Sequence, residues 1–95
     1  MSKMGVVWSS ELETLDQLFG GELSLAVTRT VYTDDASFAR GVHALLLNRE
    51  VELLSADGVA VPQWRWRGIF VDGRFGEEMR GLKLRITDRG SQRVA

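Results

Sequence analysis

The chain has 95 residues, of which 44% are hydrophobic and 26% charged, with a net charge of −1 and a pI of about 5.8; these values bound it to one ordinary globular domain. It contains no cysteine and one histidine, which excludes a disulfide framework, thiolate metal sites and any two-histidine metal site within one chain. No apolar run approaches the roughly 20 residues of a membrane span, and the opening MSKMGVVW does not read as a secretory signal, so the expectation is a cytoplasmic protein.

The charge is unevenly placed. Residues 1–63 carry four basic and nine acidic side chains, net −5, and residues 64–95 carry eight basic and four acidic ones, net +4. Such polarity marks either a basic binding surface or two halves that attract each other or a second copy. The pI lies below that of a typical strong nucleic-acid binder.

In chain order, SSELETLDQLF predicts a helix with Leu12, Leu15, Leu18 and Phe19 on one face. Ser10 and Glu13 have capping-box spacing, and Gly20-Gly21 stop the helix. ELSLAVTRTVYT reads equally well as a strand, from the alternation of Leu23, Leu25 and Val27, or as a short helix capped by Ser24. TDDASFARGVHALLLNRE predicts the strongest helix. Asp34 or Asp35 caps it, Phe38, Val42, Leu45 and Leu46 form its apolar stripe, and Arg49 falls in its last turn. The opposite face holds Ser37, Arg40, Gly41, Ala44 and Asn48, which are small or polar and would let a partner come close. From Val51 the pattern turns to strands. Asp57-Gly58 and Asp72-Gly73 are two-residue hairpin signals, LKLRIT alternates with Leu82, Leu84 and Ile86 inward, and TDRGSQRVA predicts a final helix capped by Thr87 or Asp88. The expected fold class is α+β, with N-terminal helices packed on a C-terminal antiparallel β-meander of three to four strands.

The stretch QWRWRGIFVDGRF is the most suggestive. Read as a hairpin turning at Asp72-Gly73, it groups Trp64, Trp66, Phe70 and Phe75 on one face and Arg65, Arg67, Ile69, Val71 and Arg74 on the other. The aromatic rings would then cover the helices. The arginines would be either merely solvated or available to grip phosphates. Exposed rings would instead form a base-stacking platform.

The sequence LSLAVTRTVYTDDASFARGVHALLLNREVELLSADG, followed by a hairpin and by LKLRITDRG, resembles a winged-helix domain over roughly Ser10 to Val94. In that family a helix-turn-helix is followed by a strand, a wing and a returning strand, and Thr87 to Gly90 is similar to the family's turn into another helix. The resemblance implies one winged-helix-like domain over residues 1–95. Ser37, Arg40, Gly41, Ala44 and Asn48 would lie on a helix over residues 35–49 that enters the major groove, with Arg65, Arg67 and Arg74 on or beside the wing as backbone contacts. The sequence departs from the family in lacking glycine in TDDA, in its two acids at the recognition helix and in its long wing strands.

Chemistry is sparse. His43 flanks the apolar stripe with no nucleophile or second ligand beside it. Glu77-Glu78 are adjacent and would face opposite ways on a strand, and GRFGEEMRG lacks the lysine of a phosphate loop. The expectation is therefore a non-enzymatic protein with no cofactor and no metal. It would be a small DNA-binding transcriptional regulator acting on double-stranded DNA as a homodimer or, alternatively, a protein-interaction or assembly module on the same fold without DNA binding. A small-ligand site built on the tryptophans has no supporting polar constellation.

Overall fold

The computed structural model describes residues 9–19, 21–71 and 81–94. Helix α1 spans Ser10–Leu18. Its cap is Ser9: Oγ accepts from the Leu12 N–H at 3.3 Å, and the Ser9 carbonyl accepts from the Glu13 N–H at 3.0 Å. The cap therefore sits one residue before the expected Ser10–Glu13 box, and Leu12 occupies the position where a reciprocal Glu would stand. Leu15 and Leu18 are buried, but Phe19, expected on the same face, is 56% exposed. It is the C-cap, and its ψ of 119° takes the chain off the helical path.

The segment that reads equally as strand and helix is both in succession. Strand β1 spans Glu22–Ser24 and helix α2 spans Leu25–Arg29. Ser24 ends one and caps the other, with its Oγ accepting from the Val27 N–H at 3.2 Å. Helix α3 spans Asp35–Leu47 and buries Phe38, Val42, Leu45 and Leu46 as its pattern demands. Asp34 Oδ1 caps it by accepting from the Ser37 N–H at 2.7 Å. Its far end is a Schellman closure: the Arg49 N–H bonds the Leu46 carbonyl at 3.1 Å and the Glu50 N–H bonds the Leu45 carbonyl at 3.0 Å. Arg49 thus lies just past the helix, at φ 62°.

Strand β2 spans Val51–Leu54 and strand β3 spans Lys83–Ile86. All pairings are antiparallel, in the order β1-β3-β2. The expected meander is overturned: the strands come from three separate parts of the chain, and the last of them lies in the middle. Register places Leu23, Leu84 and Leu53 side by side across the sheet, and Glu22, Arg85 and Glu52 side by side one residue away. The leucine row faces the helices and the charged row faces outward. The Asp57-Gly58 turn forms, but with three loop residues: Ser55 N–H bonds the Val59 carbonyl at 2.8 Å, Gly58 N–H bonds the Ser55 carbonyl at 2.9 Å, and Gly58 takes φ 82°. Its returning arm shrinks to a single bridge, Ala60 to Leu54.

The largest correction concerns Gln63 onward. Residues Gln63–Phe70 form helix α4, not the first arm of a hairpin. Pro62 fixes the entry with φ −65° and ψ 150°, and Trp66, Ile69 and Phe70 are buried at the spacing i, i+3, i+4. The grouping of Trp64, Trp66 and Phe70 on one face therefore fails, while Arg74, Phe75 and the Asp72-Gly73 turn lie outside the described residues. Helix α5 spans Asp88–Val94. Thr87 starts it, accepting from the Gly90 N–H at 3.2 Å and donating to the Arg49 carbonyl at 2.7 Å. A side chain on Gly90 would collide with the Glu50 backbone carbonyl, so only glycine lets α5 lie this close to the start of β2. The Glu50 carboxylate is buried and accepts two bonds from Arg93 Nη1, at 2.6 and 2.8 Å.

The core gathers Leu15 and Leu18 of α1, the α3 stripe, Leu53 and Leu84 of the sheet, and Trp66, Ile69 and Phe70 of α4. Phe38 joins two edge-to-face contacts, with Tyr32 at 5.6 Å and with Phe70 at 6.2 Å between ring centroids. Among the described residues, no helix is long and apolar enough to cross a membrane.

Candidate functional site: the paired helices α3 and α4

Helix α4 runs back along α3. At one end Arg49, just past α3, reaches Gln63 at the start of α4, with 3.5 Å between Nη2 and Oε1. At the other end Ala36, Ala39, Arg40 and His43 border a depression of about 280 Å³ together with Phe70 and Val71. His43 lies parallel to the Phe70 ring at 6.3 Å. The two helices therefore present one composite surface.

The expected contact residues of α3 divide. Arg40, Ala44 and Asn48 are exposed and Ser37 is half-buried, but Gly41 is buried. A Cβ there would come within 2.6 Å of the Tyr32 ring and 2.7 Å of Glu11 Oε1. The smallness of Gly41 serves the packing of α3 against α1 and Tyr32, not the approach of a partner, so Gly41 leaves the candidate interface. Tyr32 is tied to α1 through Thr14. Thr14 Oγ1 lies 2.7 Å from the Ser10 carbonyl and 2.9 Å from the Tyr32 hydroxyl. A carbonyl can only accept, so Thr14 donates its one proton there and accepts from Tyr32. Burial pushes the Tyr32 phenol up to about 12, assisted slightly by Glu11.

Arg65 and Arg67 are exposed on α4. On a strand they would share a face. On a helix they lie about 200° apart, on different flanks, so they do not form one phosphate-gripping row. Arg74 lies outside the described residues.

What the sequence did not disclose is the outward stripe of α4. Trp64, Arg67, Gly68 and Val71 recur at i, i+3, i+4 and i+7; Trp64 is 80% exposed and Val71 52%. Among the described residues, none comes within 4 Å of where a Gly68 Cβ would stand. On α3, Leu47 adds a further exposed apolar side chain at 52%. The spacing of Trp64 and Val71 on either side of Gly68 was the available signal, hidden while the stretch read as a strand.

The electrostatics redirect the charge asymmetry. Lys83 pairs with Glu22 at 3.1 Å, Arg85 with Glu52 at 2.9 Å and Arg93 with Glu50 at 2.6 Å. Each joins the basic second half to the acidic first half, so much of the positive excess is met within the chain. At the start of α3, Asp35 pairs with Arg29 at 2.8 Å. The Ser37 backbone N–H holds the Asp34 carboxyl below its ordinary value, helped by the Ser37 side chain, with Arg40 and Arg29 lesser contributors. No group of three or more His, Asp or Glu side chains is placed to hold a metal ion among the described residues. What the paired helices offer chemically is apolar contact flanked by guanidinium groups. Comparisons with protein-family models, curated proteins and solved structures returned no match.

Proposed function

We propose that this protein is a small non-enzymatic assembly module on a winged-helix-like scaffold, and that it pairs with a second copy of itself through α4. The observation that carries the reading is Trp64, 80% exposed on an outward stripe with Val71. That stripe is self-complementary. When two α4 helices cross antiparallel about a two-fold axis, Trp64 of each meets Val71 of the other, and the Arg67 stem lies over the partner's open Gly68. The scaffold reading is supported by the order α1, β1, α2, α3, β2 and returning strand β3, with α4 in the connection where a wing would stand. Light scattering across concentration tests the proposal. Wild type should be a dimer, and Trp64→Ala should raise the dissociation constant about thirtyfold, as for a loss of roughly 2 kcal/mol at a central aromatic contact. A wild type that stays monomeric up to about 1 mM, where an association worth only about 4 kcal/mol would already show, overturns it.

A second reading, binding of double-stranded DNA by α3, is favoured by one observation: the two acids at its start are engaged, Asp34 as the cap and Asp35 with Arg29. Ser37, Arg40, Ala44 and Asn48 would then be its contacts, with Arg65 and Arg67 reaching the backbone from separate flanks. A gel shift with random duplex DNA decides it, since true binding must weaken steeply as salt rises.

A further inference from the structure

A cleft of about 370 Å³ opens beside the outer edge of β2, floored by Leu46, Leu53, Val61 and Trp66 and rimmed by Arg49 and Gln63. Its α4 lining is Gln63 and Trp66, neither of which belongs to the stripe invoked for self-association, so it stands independently of that reading.

The cleft exists because a fourth strand begins and is then diverted. Thr87 N–H bonds the Glu50 carbonyl at 3.1 Å. In an antiparallel ladder the direction of the backbone groups alternates, so Glu50, Glu52 and Leu54 face β3 while Val51 and Leu53 face the outer edge. The Leu53 carbonyl accordingly accepts from the Val61 N–H at 2.8 Å. One step further, residue 63 would pair with Val51. Pro62 turns the chain into α4 instead, and the Val61 carbonyl is taken by Trp66 Nε1 at 3.0 Å. Among the described residues no backbone group meets Val51 on this side, although Val51 is only 2% exposed. A buried strand edge with its N–H and C=O turned into a cleft is completed by a polar backbone.

The rim supplies the charge. Arg49 holds a left-handed conformation at φ 62°, in the position after a helix where glycine is the usual residue. Thr87 Oγ1 fixes its carbonyl at 2.7 Å, and its guanidinium has no carboxylate partner among the described residues, only the long contact to Gln63. An arginine placed here at a conformational cost brings a carboxylate-binding fork to the mouth of the cleft.

We propose that the cleft binds the carboxy-terminal end of an extended peptide. The α-carboxylate pairs with Arg49, the terminal backbone pairs with Val51, and an apolar last side chain rests on Leu46, Leu53 and Trp66. A chain end fits better than a strand running through, because the unpaired edge is one residue pair long, bounded by Val61 on one side and by the turn at Arg49 and Glu50 on the other.

The test is a titration of the full ¹⁵N-labelled chain with acetyl-Gly-Ser-Thr-Leu-Val as the free acid and as its carboxamide. The free acid should shift the Val51 amide and Trp66 indole resonances saturably, and the carboxamide should bind at least about tenfold more weakly, as expected for loss of a charge-assisted pair. Arg49→Gly and Arg49→Asn, both compatible with the left-handed backbone, should reduce affinity for the free acid by a similar factor, whereas Trp64→Ala should leave it unchanged. No shift at Val51 with millimolar free acid, equal affinity for acid and carboxamide, or full affinity in both Arg49 variants overturns the proposal.

Discussion

Helices α3 and α4 lie side by side, and each carries a glycine in its interior, yet the two glycines answer to different demands. Gly41 sits against the Tyr32 ring and Glu11, where a Cβ has no room. Around Gly68 no described residue comes within 4 Å of where a Cβ would stand, so none of them asks for glycine, while a helix would be better served by alanine there. The tryptophans of α4 repeat the contrast: Trp66 is buried with its Nε1 bonded to the Val61 carbonyl, and Trp64, two residues earlier, stands in solvent. Inside residues secure the fold. Trp64 and Gly68 share one outward stripe, and that is the feature on which the proposed self-association rests.

Substitutions sharpen or break that contrast. At protein concentrations low enough to keep both variants monomeric, Trp66→Ala should lower stability in urea unfolding by about 3–5 kcal/mol, against less than about 0.5 kcal/mol for Trp64→Ala; comparable losses would dissolve the distinction. Alkaline titration should separate the buried side of α3 next. The folded phenol of Tyr32 is raised to about 12 from 10.0, so its contribution is complete below pH 10 and disappears as pH rises to about 12, because the unfolded chain ionises first. The loss should be on the order of 2 kcal/mol and should vanish in Tyr32→Phe. Gly41→Ala should cost about 1–3 kcal/mol through overpacking against Tyr32 and Glu11, seen as a lower melting temperature. Gly68→Ala should act oppositely, raising stability by up to about 1 kcal/mol while weakening self-association. A Gly68→Ala variant that both melts lower and still dimerises fully would place Gly68 with Gly41.

Much of the fold was legible where one periodicity dominated. The α3 stripe of Phe38, Val42, Leu45 and Leu46, the alternation of Leu82, Leu84 and Ile86, and the Thr87 start of α5 each satisfied a single pattern. The segment around Ser24 satisfied two patterns because two elements meet there. Helix α4 was missed for a physical reason. Trp64 and Trp66 alternate like a strand, while Trp66, Ile69 and Phe70 repeat like a helix, and eight residues are too few for local pattern to decide. Burial against α3 decides it, together with Pro62, which prevents the fourth strand from continuing. The candidate site inherited that error. Ser37, Arg40 and Ala44 lie on α3 and Asn48 is its C-cap, but Gly41 is buried, and smallness looks the same in a sequence whether it serves a neighbour inside the molecule or one outside. Cross-strand order lay beyond reach for another reason: nothing in the local letters of Lys83 to Ile86 states that they insert between two strands made far earlier.

That insertion has a consequence for how the molecule comes into being. Among the described strands β1 and β2 touch only through β3, so a chain cut before Lys83 holds two strands with no ladder between them and leaves Glu22, Glu50 and Glu52 without Lys83, Arg93 and Arg85. Assembly of the sheet is deferred until β3 is available and then joins both strands at once, so chains truncated before Lys83 should be open to proteolysis rather than partly formed.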